Sequence, residues 1–356
     1  MTVIYTILAF LIGFTLMVLV HEWGHYITGR IFKVKIDEFA IGMGPKFFSK
    51  KGKKTSTVFS LRCIPIGGFV KFAGDDEVYG EQTDVKDAED PHLLPNLAVW
   101  KRFIIYAAGA FMNVVLGFVL LISIYLALGV ATNTPTIGQV IENSPAYVAG
   151  LQQGDVILKV DGNDITHDDY NLAIEQISKY IGEDDVIFTV KRGNDIVDVS
   201  MTPQYDEESE GYKVGFYFGY TYRRTTIGES LTMSARTSGE MMSLIFKTLA
   251  NLIFKGEGFD KVGGPIAIIS VISDATREGI LQIVSIFASL TLNLAVVNMI
   301  PFPALDGGKC LLLLIEGITR KPINKNVEGW LNLVGFAALM LLMLVIGVKD
   351  VFSLFG

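Results

Sequence analysis

Residues 3–25 read VIYTILAFLIGFTLMVLVHEWGH, and the fold turns on this stretch. Residues 3–20 carry no charge and are mostly large and apolar, close to the ~20 residues a helix needs to cross hydrocarbon. His21, Glu22 and His25 follow without a break. On a helix, positions i and i+4 lie one above the other, so the two imidazoles face one point about a turn apart. That spacing suits two corners of a zinc tetrahedron, with Glu22 placed to act as general base on a water there. In a soluble helix the motif often arises by chance. In an apolar one, unpartnered His and Glu are costly to bury and call for a shared partner. The competing reading, a histidine pair at the headgroup level, fails on depth. Arg30, Lys33 and Lys35 mark that level, and His21 sits nine residues further in, about 13 Å at 1.5 Å per residue. A cleaved leader needs a basic start and a small-x-small cleavage site, which neither residues 1–6 nor 18–24 supply.

Three further apolar runs lie at residues 103–130, about 283–300 and about 331–348. The chain of 356 residues is half hydrophobic and only 19% charged, too little charge to cover a soluble globule of this size. Its net charge of −7 excludes nucleic acid as a partner, and two cysteines exclude a disulfide scaffold or a Cys₄ zinc knuckle. Four spans put both termini on one side. Between residues 30 and 71 there are ten basic residues against two acids, Asp37 and Glu38, and Lys101, Arg102, Lys309, Arg320, Lys321 and Lys325 fall on the same side. The side of these basic residues is cytoplasmic by the positive-inside rule, which puts both termini and the segment between the second and third spans, with its acidic stretch 131–210, outside. Residues 75–90 read as a solvated acidic loop.

The outside segment holds a small α+β unit over 131–205. Strands are expected at 137–141, 154–162 with an Asp161-Gly162 turn, 185–193 and 195–201, a short helix after Ser144 ended by Gly150, and a longer one over 167–180. The run 144–162 resembles a PDZ domain of the circularly arranged bacterial type. Such domains bind a peptide by strand addition beside a helix, although a spacer that binds nothing also fits. Residues 226–255 and 265–273 read as helices able to lie on the outer membrane surface, within a linker over 206–280.

A third ligand is needed to close a zinc site with one open position. Asp306 is the candidate, in Asn298-Met-Ile-Pro-Phe-Pro-Ala-Leu-Asp-Gly-Gly, where Pro301 and Pro303 break the third span and Gly307 and Gly308 permit a sharp turn. Its position alone equally allows an N-cap on the following helix. The upstream pair favours the ligand.

These motifs together resemble the site-2 protease family of intramembrane zinc metalloproteases, its bacterial RseP/RasP branch, in the single-PDZ form. Smaller pieces match as well: Ile41-Gly-Met-Gly-Pro, Leu61-Arg-Cys-Ile-Pro-Ile-Gly-Gly-Phe-Val-Lys and Gly263-Gly-Pro. The resemblance implies Zn²⁺ held by His21, His25 and Asp306, with Glu22 as catalytic base. It implies substrate contacts at Asn293, Asn298, Gly67, Gly68 and Phe69, and a membrane-dipping β-hairpin at 58–72. The family's Gly-Pro-x-x-Asn matches only in part, with Ala110 for proline. Gly109, Asn113 and Gly117 then also read as a plain close-packing face. Lys309 stands where relatives often have histidine.

The expected fold is a polytopic α-helical membrane protein of about four transmembrane helices, with a membrane-associated β-hairpin and an inserted α+β PDZ-like extracytoplasmic domain. The expected place is the bacterial plasma membrane, with the active site toward the cytoplasm. Expected partners are the lipid bilayer and single-pass transmembrane substrates, among them anti-sigma factors or remnant signal peptides. Two rivals are a proteolytically silent scaffold that presents its PDZ unit to extracytoplasmic peptides, and a membrane-anchored zinc enzyme acting on soluble or lipid substrates. A strand-type partner would be needed to hold an unwound substrate helix, because free backbone groups in hydrocarbon are costly. A hairpin that merely covers the site is the alternative.

Overall fold

The computed structural model describes residues 2–53, 55–74, 90–132, 135–165, 170–182, 184–206, 211–220, 222–258 and 262–355. His167 and residues 75–89 of the expected acidic loop lie outside them. The chain divides into two compact units, one of residues 1–124 with 231–356 and one of residues 125–230.

The first unit contains four helices long and apolar enough to cross a membrane. These are α1 (Thr2–Ile31), α2 (Val99–Leu128), α7 (Ile280–Asn298) and α9 (Lys325–Phe355). Each outruns or shifts from its apolar run by a few residues, because a helix continues past the hydrocarbon edge until backbone geometry stops it. For α1 the stop comes at Lys33, in the left-handed region. The helix α6 (Pro265–Glu278) extends past the expected 273 and does not lie free: Ile272 is buried with Met17 of α1 and Phe287 of α7. Its start explains the Gly263-Gly-Pro motif. The Asp350 carboxylate of α9 accepts from Gly264 N–H (3.2 Å) and Ala267 N–H (3.1 Å), capping a helix whose own N-cap glycine has no side chain to do so. Helix α8 (Asp306–Thr319) is tied to α2 by the paired bonds from Arg102 to the Glu316 carboxylate.

Between α1 and α2 runs a long antiparallel ribbon of β1 (Ile36–Lys51) and β2 (Val58–Phe72). Residues 58–72 are therefore one strand, not the hairpin expected from them alone. Both strands bend in the middle, at Gly42 and Gly44 (φ 85° and 82°) and at Gly67 (φ 81°), and the ribbon folds back on itself. Ala40 thus pairs with Ser60 on one edge and Phe69 on the other, while Ser49 pairs with Ser60. Residues 68–72 form one margin of the resulting four-layered strand order, next to α1.

The second unit is built around one sheet. It comprises β4 (Thr136–Val140), β5 (Val156–Val160), β7 (Val186–Arg192), β8 (Asp195–Met201) and β11 (Phe216–Gly219), in the order β11-β4-β5-β7-β8, with β6 (Asn163–Asp164) paired to β5. Two helices, α3 (Pro145–Val148) and α4 (Tyr170–Tyr180), complete it, and Ser144 caps α3 through its hydroxyl. Ile137, Ile157, Ile177 and Phe188 are fully buried in a common core. The unit does not end near Pro203. Beyond the hairpin of β9 (Gln204–Asp206) and β10 (Gly211–Lys213), Val214 enters the core and β11 pairs with β4. The alternating Phe216-Tyr-Phe218 run supplies that strand. At the unit's base, β12 (Tyr222–Arg223) pairs with β3 (Val130–Ala131), where α5 (Ile227–Lys255) then begins.

Candidate metal centre

Three side chains from two helices converge in the first unit. His21 and His25 lie on α1 and Asp306 is the first residue of α8, and one ligand atom from each lies within 4.8 Å of the others. His21 Nε2 is 3.1 Å and His25 Nε2 3.4 Å from Asp306 Oδ2, and the two Nε2 atoms are 3.2 Å apart. Both histidines are buried. The alternative role for Asp306 is excluded, because Leu305 is the N-cap of α8 and makes no side-chain cap.

The loop that delivers Asp306 is held from below. Pro301 and Pro303 end α7, Ala304 takes a left-handed conformation (φ 73°), and its N–H donates to Asn332 Oδ1 of α9 at 3.1 Å. Pro303 sits so close to Gly335 that a Cβ there would stand 2.6 Å from its carbonyl oxygen. Gly307 and Gly308 pass equally close to the carbonyls of Ile300 and Phe302.

The histidines are oriented by α2. His25 Nδ1–H donates to the Ile105 carbonyl at 2.8 Å, which leaves Nε2 as a bare lone pair aimed at the cluster. The Asn113 amide, fully buried, stands 3.2 Å from His21 Nδ1. Its nitrogen faces the ring while its oxygen has no partner. Turning the isosteric amide over lets Oδ1 accept from Nδ1–H and frees the His21 Nε2 lone pair as well. A Cβ on Gly109 would stand 2.4 Å from His25 Nε2 and 2.7 Å from His21 Cε1, so only glycine admits both rings.

Two lone pairs and a carboxylate oxygen, Asp306 Oδ2, that is buried without a hydrogen-bond donor among the described residues repel one another unless a cation sits among them. Two imidazoles and a carboxylate are a donor set for zinc. The residues fit the metal.

Glu22 is half-buried beside this cluster. A Cβ on Gly68 would stand 3.5 Å from Glu22 Cγ, and the Val70 backbone amide reaches the Glu22 carboxyl. The margin strand of the ribbon thus borders the motif helix through Gly68.

 Gly67, Gly68 and Phe69 all lie on this stretch, and Phe69 carries the Arg62 guanidinium 4.7 Å above its ring. Asn293 and Asn298 are not drawn into the cluster: Asn293 is exposed on α7, Asn298 is half-buried at its end, and among the described residues neither bonds to the histidines or Asp306. The asparagine that does reach the site is Asn113. Its i+4 spacing from Gly109 was the available signal, and it read equally well as helix packing. Lys309 points elsewhere, its ammonium 4.8 Å from the centre of the Tyr106 ring.

Four helices long and apolar enough to cross a membrane, with a set of metal donors among them, define a membrane metalloprotein. The chain belongs to peptidase family M50, whose model matches residues 9–342. Among its relatives, a protein of Clostridium perfringens is 35% identical over 96% of this chain and 97% of its own length. The zinc metalloprotease RasP of Bacillus licheniformis is 30% identical over 98% of this chain and 99% of its own, and the regulator of sigma-W protease RasP of Bacillus subtilis 29% identical over the same shares. Among solved structures, the PDZ domain of an SdrC-like protein from Listeria monocytogenes matches 25% of this chain and 90% of its own, at 20% identity and a TM-score of 0.22. That last likeness is too slight to bear on the fold. Family membership makes this a zinc metalloprotease of the bacterial membrane.

Proposed function

We propose that the protein cleaves peptide bonds within transmembrane segments, with His21, His25 and Asp306 as zinc ligands and Glu22 as the base. The observation that carries this reading is the convergence of the three donors among helices apolar enough to cross a membrane, with Glu22 and the ribbon's margin strand beside them. Zinc, when bound, supplies a Lewis acid that polarises the scissile carbonyl and acidifies water. Glu22 takes the proton from the attacking water and returns it to the leaving amine. Asn113 and the Ile105 carbonyl fix the two imidazoles in the tautomer that ligation needs.

A substrate helix must unwind before its carbonyl can be attacked, and its freed amides then need partners in hydrocarbon. Residues 68–72 are paired on one side to 36–41 and lie beside α1, with the Val70 amide at the Glu22 carboxyl. We assign them the role of pairing with the unwound segment, with Gly67 and Gly68 allowing close approach and Asn293 and Asn298 holding further backbone. The second unit, outside by the charge pattern, serves as a filter that admits substrates whose outer domain is already removed. Anti-sigma factors and remnant signal peptides are the substrate classes this reading favours.

The test is Glu22→Gln in proteoliposomes with a synthetic transmembrane peptide. Zinc content stays at the wild-type level and turnover falls by about 10²–10⁴-fold, the range for loss of a general base. Cleavage at the wild-type rate would overturn the assignment. To test the filter, the whole unit 125–230 must be replaced by a short linker, since a cut at residue 205 strands β11 without its partner β4. Unchanged discrimination against full-length substrates would refute it.

A further inference from the structure

A groove of about 770 Å³ opens between α1 and one face of the folded ribbon. Leu19 and Trp23 of α1 and Phe48, Phe59 and Leu61 of the ribbon wall it, and Lys50, Lys51 and Lys53 stand at one end. It is not the metal centre. Trp23 projects about 100° round the helix from Glu22, so the two sites lie on different faces of α1.

The strand register sets the depth of each wall. Lys51 pairs with Val58, which pairs with Glu38, and Glu38 pairs with Lys71 near the ribbon's junction with α1. The lysines are therefore level with the basic end of α1, where Arg30 lies. Phe48 pairs with Leu61, two to three residues nearer the bend, about 7–10 Å deeper at ~3.3 Å per residue. Lys46 is neutralised by Glu38 at 2.9 Å. Among the described residues, Lys50, Lys51 and Lys53 have no carboxylate within ion-pair range, and all three are exposed.

We propose that this groove binds one anionic glycerophospholipid of the cytoplasmic leaflet, its acyl chain against Phe48, Phe59 and Leu61 and its phosphate among Lys50, Lys51 and Lys53. The proposal rests on the reading of the ribbon as a membrane-dipping element. Charge and depth together select this occupant. Three ammonium groups at headgroup level, with no ion-pair partner among the described residues, attract a phosphate, and apolar walls below them suit a chain without amides, whereas an unwound polypeptide would leave its backbone unsatisfied there. The bound lipid braces the sheet whose margin, 68–72, borders Glu22.

The experiment uses the full chain in nanodiscs of phosphatidylcholine doped with either a phosphatidylglycerol or a phosphatidylcholine that carries a diazirine on its acyl chain. After irradiation, mass spectrometry finds the phosphatidylglycerol adduct on the peptides holding Phe48, Phe59 or Leu61, in excess over the phosphatidylcholine adduct. Each lysine near an anionic surface is worth about fivefold in binding, so the Lys50→Gln, Lys51→Gln, Lys53→Gln variant loses that excess by up to about 100-fold. Unaltered zinc content shows that the variant is folded. Equal labelling by the two lipids, equal labelling of variant and wild type, or displacement of the label by a transmembrane substrate peptide each overturns the proposal. Inorganic phosphate that abolishes the excess points to a free anion and overturns it too. No arm reads cleavage, so failure here leaves the protease reading standing, and failure of Glu22→Gln leaves this one.

Discussion

The two units of this chain differ in what they bury. In the inserted unit the interior is mostly apolar: Val186, Phe188 and Val190 of β7 are fully buried, and the buried carboxylate of Asp155 is paired with Arg192. In the membrane unit many large apolar side chains point outward, Leu341, Leu344 and Phe352 of α9 among them, while His21, His25, Asn113 and Thr291 are buried beside apolar clusters such as that of Met17, Ile272 and Phe287. Lipid rewards the first arrangement turned inside out. With no water to exclude between helices, polar groups become the specific contacts of the interior. The inserted unit thus derives its fold from its core, and the membrane unit derives its site from its core.

That contrast can be broken from either side. Phe188→Ala is the largest perturbation. It removes a fully buried ring from the inserted sheet and costs about 3–5 kcal/mol, enough to unfold much of a unit of this size. Hydrogen exchange of the whole protein is expected to accelerate across β5, β7 and β8 while zinc content holds, and loss of zinc would show that the units are not energetically separate. Gly109→Ala is next. Its methyl displaces both imidazoles, and overpacking of about 1–3 kcal/mol falls directly on metal affinity. The matching change in the inserted unit, Gly182→Ala, meets nothing within 4 Å and should stay within about 0.5 kcal/mol. Metal titration and thermal unfolding of the pair measure the difference.

Asn113→Ala sharpens the comparison further, since its one buried amide reaches a ligand rather than a core. Loss of such an outer partner weakens metal binding by about 10–100-fold, which competition with a chelator reads directly. An unchanged affinity would reduce Asn113 to helix packing. The smallest effect belongs to the inserted unit's buried ion pair. Burial opposes ionisation of Asp155, but two bonds from Arg192, at 2.9 and 2.6 Å, and one from Gln152 N–H outweigh it and hold the carboxyl below its ordinary value. Its stabilising contribution is complete above the unfolded value of about 3.9 and disappears as pH falls through the lower folded value. Exchange protection of β7 should fall on that acid side only, and Asp155→Asn should flatten the fall.

Legibility followed the same division. The apolar runs and the paired histidines could be read directly, because both rest on local spacing. The strands of the inserted unit were visible through their alternation and the Asp161-Gly162 turn. What escaped is long-range. The basic, weakly alternating run 36–51 does not announce a strand, and its partner 58–72 becomes a double-sided neighbour only after the ribbon bends at Gly42 and Gly67. The strand 216–219 lies past an acidic hairpin that looks like the end of the unit. Asn113 could not be separated from a packing face until α2 was seen against the histidines.

The clasp of α9 on residues 303–304 has a consequence for biosynthesis. Asp306 is aligned by Asn332 and Gly335, which emerge from the ribosome after it. A nascent chain halted before α9 has inserted carries His21, His25 and Asp306, yet lacks the contacts from Asn332 and Gly335 that hold the loop before the aspartate.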